Sequence, residues 1–261
     1  MNSNLGDRMK KYENVNNQYL IPNIPVIIRV DGICFHSFTR GFSRPFDPIL
    51  ISAMQQTAKY LCENIQGCKL AYTQSDEITL LLTDYDRIET QGWFNYEVKK
   101  MISASASKTT MSFNKFFREI VMSDLIDSSI DKEKIKKYLN KVGIAEFDSR
   151  VFNLPKEEVC NNFIWRQQDA IRNAILMVGY ANFSHKSLNN VNCKQIQEKL
   201  FQEKSINFND FPVYQRRGTC IIKKQCNING TIRNKWIIDN EIPTFTKNRN
   251  YIDDNVFLNK N

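Results

Sequence analysis

A β-branched run, Pro25-Val26-Ile27-Ile28-Arg29-Val30, stops on Asp31-Gly32, and this boundary constrains the fold more than any other feature of the chain. The run predicts a buried strand, and the Asp-Gly after it predicts a turn at the strand's end. Asp47-Pro48 then supplies an N-cap and a proline suited to a first helical turn. Leu50, Met54, Ala58, Leu61 and Ile65 recur at steps of four and three, which is one helix face, and Gly67 closes the helix. Strands are predicted over residues 68–73 and 78–83, with the polar tip Gln74-Ser75-Asp76-Glu77 between them. The outcome is a βαββ unit that ends two strands on acids.

Beyond it, a helix is expected over 94–117, with Val98, Ile102, Ala106, Phe113 and Phe117 on its apolar side. Its small-residue middle, Ser103-Ala104-Ser105-Ala106-Ser107, permits close approach of backbone or ligand. Residues 123–150 read as a charged, irregular surface excursion, and 155–178 and 193–201 as helices. A hairpin is expected from 218–226 and 231–238 around Asn229-Gly230, whose turn type matches the twist of paired strands. The tail after Pro243 is polar and expected to be loosely held. The expected organisation is a catalytic region over 1–150 with a helical and hairpin region, 151–261, packed on it as one unit.

Composition narrows the partners. With 42% hydrophobic and 25% charged residues in 261, the chain has material for a core and is unlike a disordered protein. The net charge of +8 attracts phosphate-rich partners, and residues 214–250 hold eight Lys/Arg against two acids, a surplus of six. Seven cysteines without a C-x-x-C pair, and only His36 and His185, exclude a zinc cluster by spacing and suggest free thiols in a reducing compartment. The polar start contains Asp7 and Glu13, unlike a leader peptide, and no apolar run approaches a membrane span. A cytoplasmic location is expected, with a mitochondrial one left open.

Asp31 and Asp76, at the ends of neighbouring strands, are the candidates for chemistry. Carboxylates held this way can share hard cations that activate a hydroxyl and stabilise leaving pyrophosphate. Gly32 lets a nucleotide or metal approach the backbone. Asp-Gly and Ser-Asp-Glu are also ordinary turn material, so the same residues would serve a purely structural role. Arg166, Asp169 and Asn173 share a helix face at i, i+3 and i+7, suited either to RNA or to an internal Arg–Asp pair.

Five segments, in order over roughly residues 5–225, resemble the motifs of the tRNA(His) guanylyltransferase family. They are Leu5-Gly6-Asp7-Arg8-Met9-Lys10-Lys11-Tyr12-Glu13, the run from Arg29 to Thr39, Gln74-Ser75-Asp76-Glu77, Trp165-Arg166-Gln167-Gln168-Asp169, and Tyr214-Gln215-Arg216-Arg217-Gly218-Thr219. The resemblance implies an α+β fold with a polymerase-palm-like βαββ core, additional helices and a C-terminal β-hairpin. It implies two Mg2+ ions held by Asp31, the Gly32 carbonyl and Asp76, with Glu77 in support. Arg44 stands where the family places a triphosphate-binding lysine, and Phe35, His36, Ser75, Lys100 and Ser107 are further nucleotide-side candidates. Arg216 and Arg217 join Arg166, Asp169 and Asn173 as candidate RNA contacts. Partners implied are tRNA, with ATP or GTP for 5′-end activation, NTPs as substrates, and three further copies of the chain in a homotetramer.

One departure is informative. Eukaryotic members that add guanine to tRNA(His) carry a His-Ile-Asn-Asn type of sequence after Trp-Arg-Gln, whereas this chain places Ile171 at the histidine. The segment Gly179-Tyr180-Ala181-Asn182-Phe183-Ser184-His185-Lys186 looks like the guanylyltransferase-like branch, which repairs 5′-truncated tRNAs against a template strand. Template-dependent 3′-to-5′ addition is the expectation, with guanine addition to intact tRNA(His) as the alternative. A nucleotide-cyclising palm enzyme and a non-catalytic RNA-binding domain are the rivals. The first leaves the basic C-terminal part without a role, and the second predicts tRNA binding indifferent to magnesium.

Overall fold

The computed structural model describes residues 4–85, 89–126, 132–228 and 231–256. Helix α1 (Asn4–Asn14) precedes strand β1 (Val26–Gly32), the short α2 (Phe35–Phe38) and α3 (Pro48–Asn64). Strands β2 (Cys68–Gln74) and β3 (Glu77–Leu82) lead to α4 (Val98–Ile126), α5 (Lys132–Leu139) and β4 (Phe147–Asn153). Then come α6 (Lys156–Asn182), α7 (Cys193–Lys204), α8 (Val213–Arg217), β5 (Thr219–Ile228), β6 (Thr231–Asp239) and α9 (Asn250–Val256).

Six strands form one sheet in the order β4-β1-β3-β2-β5-β6, every described pairing antiparallel. Side-chain alternation assigns its faces. Val26, Ile28 and Val30 pack with Met54, Ala58, Leu61 of α3 and Phe113, Phe117 of α4. On the other face Ile27, Leu70, Tyr72 and Leu81 pack with Val159 and Phe163 of α6 and with Ile252 of α9. A third cluster joins the end of α6 to α7 through Val178, Ile196 and Leu200. The βαββ core is as expected, with Asp47 capping α3 by accepting from the Leu50 amide at 2.8 Å.

Three expectations about the chain's organisation require correction. The fourth helix starts at Val98, not Phe94, because Phe94, Asn95 and Tyr96 take positive φ in a 3-10 turn. Its buried stripe is Met101, Ser105, Thr109, Phe113, Phe117 and Val121, while Ile102 and Ala106 are only half-buried. The polar members are buried because Ser105 Oγ meets Ser149 of β4 at 2.7 Å and Thr109 donates to the Ser105 carbonyl at 2.8 Å. Small hydroxyl residues let this helix lie close to the sheet.

Residues 123–150 are not an irregular excursion, since they include α5 and most of β4. The alternation of β4 was masked by a polar inner residue: Phe147 and Ser149 are buried while Asp148 and Arg150 are exposed. The tail is not loose either. Ile242, Phe245 and Ile252 are fully buried, widely spaced anchors in a polar sequence. Asn229-Gly230 lies outside the described residues, although β5 and β6 pair in register from Cys220 opposite Asp239 to Ile228 opposite Thr231.

Candidate active site

A row of acids crosses the sheet at the C-terminal end of β1. Asp31 is in register with Glu77 on β3 and with Asp148 on β4, so all three side chains project to the α6 face. Asp76 sits beside them in the two-residue β2–β3 loop, whose Ser75 is held at φ 50. Ser75 Oγ donates to Asp76 Oδ1 at 2.9 Å. Burial pushes the Asp76 carboxyl above its ordinary range, the Ser75 bond opposes this, and the charges of Asp31 and Glu77 raise it further. Asp148 was not anticipated, although alternation in Phe147-Asp148-Ser149-Arg150-Val151 was the signal for it.

Glu77 is committed elsewhere. Arg166 reaches across from α6 and binds it as a fork, Nε to Oε1 at 2.7 Å and Nη2 to Oε2 at 2.6 Å. Arg166 also touches Asp169 at 3.1 Å, and Asp169 in turn accepts from Arg172 at 2.6 Å and from Asn173 at 3.4 Å. Burial alone lowers the Arg166 pKa, but Glu77 and then Asp169 more than offset it. Of the two roles open to the face of Arg166, Asp169 and Asn173, the side chains make the ion-pair network, with Arg166 only 8% exposed and Asp169 and Arg172 at its outer edge. It locks α6 to β3, one of the strands the acid row crosses.

Beyond the strand end lies a cleft of about 320 Å³. His36, Arg44 and Ser75 line it, joined by Arg40, Tyr180 and His185, which sequence reasoning had not placed there. The Tyr180 and His185 rings stack at 4.2 Å between centroids on its far wall. Asp47 organises the loop on the near wall by accepting from the Ser43 amide at 2.9 Å and from the Tyr138 hydroxyl. That bond and burial push the Tyr138 phenol up to about 12, burial being the larger cause.

Other candidates are not brought to this cleft. Phe35 is a core residue whose ring meets Phe38, Phe113 and Phe147 within 4.8–5.7 Å. Gly32 is required by that ring, because a Cβ there would stand 2.2 Å from it. Lys100 pairs with Glu97 at 2.8 Å on the exposed side of α4. Its neighbour Met101 lines a crevice with Val26 and Leu82, at the end of the sheet opposite the acids. Ser107 is exposed on α4 and absent from the cleft lining. Arg216 bonds the Phe211 carbonyl at 2.7 Å, and Arg217 bonds Thr244 at 2.8 Å with its Nε buried and unpartnered. Arg217 lines a smaller cavity that shares Ser75 and Asp47 with the cleft.

Among the described residues, no group of three or more His, Cys, Asp and Glu side chains is arranged to hold a metal. Asp31 and Asp76 form a two-carboxylate donor set in mutual repulsion, which a divalent cation would relieve. That fits Mg2+, which takes one or two carboxylates and completes its shell with water and substrate phosphates.

Paired carboxylates at strand ends of an antiparallel palm-like sheet, beside a basic cleft, define a nucleotidyltransferase type of centre. A family model described as Thg1, tRNAHis guanylyltransferase, matches residues 6–155. A protein of Acanthamoeba polyphaga mimivirus is 30% identical across 97% of this chain and 88% of its own length. A probable tRNA(His) guanylyltransferase of Drosophila melanogaster is 28% identical across 79% of this chain and 69% of its own. A bacterial tRNA(HIS) guanylyltransferase (Thg1)-like protein solved with ATP is 46% identical across 98% of this chain and all of its own, with a TM-score of 0.84. The tRNA(His) guanylyltransferase of Saccharomyces cerevisiae, 19% identical, shares the fold over 91% of this chain and 98% of its own at a TM-score of 0.63. The chain belongs to the tRNA(His) guanylyltransferase family, whose members are nucleotidyltransferases of tRNA processing.

Proposed function

We infer that this chain adds nucleotides in the 3′-to-5′ direction to the 5′ end of truncated tRNA, each chosen by pairing with the opposite acceptor strand. The observation that carries this reading is Ile171. Where members that add guanine to tRNA(His) are expected to offer a histidine, this side chain packs half-buried against the α6–α7 cluster. The 46% identity to a guanylyltransferase-like protein supports the same branch.

The reaction has two parts. A 5′-monophosphate attacks ATP or GTP, forming a nucleotidylated end and releasing pyrophosphate. The 3′-hydroxyl of an incoming NTP then displaces the nucleotide monophosphate, and no covalent enzyme intermediate is needed. Asp31, Asp76 and the Gly32 carbonyl would hold Mg2+, which lowers the hydroxyl's pKa and neutralises phosphate charge when bound. Arg40 and Arg44 bind the triphosphate, Arg44 as a planar fork. His36 and Ser75 complete that side, and the stacked Tyr180 and His185 rings form the facing wall.

The basic hairpin fits the tRNA body. Only Thr219–Ile222 of β5 pairs with β2, so Lys223, Lys224, Arg233 and Lys235 project beyond the sheet as an exposed ribbon. Lys224 stands directly opposite Lys235, a like-charge pair that an anionic backbone would relieve. The exposed stripe of Leu5, Met9 and Tyr12 on α1 supports assembly as a homotetramer.

Two measurements test the reading. The kcat/KM for a tRNA lacking its first nucleotide should exceed that for intact tRNA(His) by at least about tenfold, or 1.4 kcal/mol. Preference for the intact tRNA, or guanine added whatever the opposing base, would establish the tRNA(His) guanylyltransferase reading instead. Arg44→Ala should raise the nucleotide KM by roughly tenfold or more, as loss of a charge-assisted bond of about 1.5–3 kcal/mol requires. The KM for tRNA should move less than twofold, and unchanged nucleotide kinetics would remove Arg44 from the triphosphate site.

A further inference from the structure

The α6 face of the sheet carries a second polar row, one step inside the acids. Arg29 on β1 stands in register with Arg150 on β4, directly behind the row of Asp31 and Asp148. Two residues along a strand is roughly 7 Å. Above Arg29 lies the indole of Trp165, 5.4 Å from guanidinium carbon to ring centroid, and Arg166 packs 4.6 Å from the same ring. Trp165 is 52% exposed even so.

This arrangement is poor as mere packing. Two arginines directly opposite on neighbouring strands repel. Arg29 is half-buried, yet among the described residues neither it nor Arg150 makes an ion pair or hydrogen bond with an acid. A partly desolvated cation without a counter-charge is costly unless a ligand supplies one. An exposed indole with two guanidinium groups 4.6 and 5.4 Å from its ring centre is a surface on which a nucleobase can stack.

We propose that Trp165, Arg29 and Arg150 form a platform for the 5′-terminal nucleotides of the RNA, separate from the nucleotide cleft. A terminal base stacks on Trp165, and the next phosphates lie on Arg29 and Arg150. The 5′ phosphate is thereby delivered to the acid row. His36, Arg44 and Ser75 lie past the strand end, so the acids stand between the RNA on one side and the NTP on the other. The assignment of RNA as occupant rests on the proposed function; the platform itself rests on the two arginines and the indole.

The test uses the full chain and a 5′-monophosphorylated tRNA lacking its first nucleotide. Binding is measured without NTP, and nucleotide addition is measured separately. Trp165→Ala should weaken tRNA binding at least fivefold, with Trp165→Phe restoring most of it. Arg150→Gln, an exposed change that the fold tolerates, should weaken binding and lower the salt-dependence slope by about one. The KM for ATP should change less than twofold in each. The tRNA should also quench tryptophan emission more in the wild type than in Trp165→Phe, where Trp93 and Trp236, the latter beneath Lys223 of the hairpin, remain. Unchanged tRNA affinity and salt slope in Arg150→Gln, or a raised ATP KM in place of weaker tRNA binding, would overturn the platform. A chain that binds tRNA through these residues yet adds no nucleotide would retain the platform and refute the proposed function.

Discussion

Replacing Asp76 with asparagine should abolish nucleotide addition and, at neutral pH, make the folded chain more stable. Outer-shell partners of a metal typically contribute about 10–100-fold to activity, so losing a direct ligand should exceed 100-fold. Binding of tRNA should persist, because in the proposed complex its backbone is held by the basic residues of the hairpin and the platform and only the 5′ phosphate approaches the acids. The stability gain follows from the carboxyl's raised pKa, caused first by burial and then by Asp31 and Glu77. The native state binds that proton more readily than the unfolded chain, so ionising Asp76 costs the native state. The penalty is absent below the ordinary value of 3.8 and grows as pH rises through the raised one. The Tm of Asp76→Asn should therefore exceed that of the wild type at pH 7 and converge with it near pH 3. Activity within tenfold of wild type would remove Asp76 from the metal site, and a lower Tm at pH 7 would refute the electrostatic account. Asp31→Ala should lose activity to the same extent.

Glu77→Ala carries the largest expected loss of stability. Its two oxygens hold the Arg166 fork, and both side chains are about nine-tenths buried. Removing one partner of a buried pair costs about 3–5 kcal/mol because the other charge is left uncompensated. For a chain of this length that is a fall of roughly 10 °C in Tm. Asp169 holds the same guanidinium at 3.1 Å, so the loss should be smaller than that of a wholly orphaned arginine. The double variant Glu77→Ala, Arg166→Ala should be less destabilised than the sum of the two single ones, since no charge remains unpaired. Additive thermal shifts would assign the pair no coupling, and with it no role in locking α6 to the acid row.

Asp31, Asp76 and the βαββ frame were legible because local chemistry sets them. A β-branched run must be buried as a strand, Asp47-Pro48 must start a helix, and a polar tip such as Gln74-Ser75-Asp76-Glu77 must reverse the chain. Those requirements hold wherever the segments come to rest, and they bring two acids to neighbouring strand ends. What could not be read was which side chains meet across long separations. Glu77 and Arg166 lie 89 positions apart, and nothing in either neighbourhood distinguishes a metal-side glutamate from an ion-pair partner. Phe35, adjacent in sequence to the candidate His36, instead turns its ring into the core, over the space that a Cβ on Gly32 would fill. Lys100, a candidate for its place with Ser107 on one face of the small-residue helix, is carried by that helix to the far end of the sheet.

By itself, then, the sequence determined the strand ends that present the acids, the helix that joins them, and the basic surplus that seeks phosphate. Tertiary structure alone decided that β4 adds Asp148 and Arg150 to the same face, that Tyr180 and His185 line the cleft, and that Arg166 turns inward. The physical reason is range. Turn and periodicity preferences act over a few residues, whereas burial and ion pairing depend on which surfaces the whole chain has packed together.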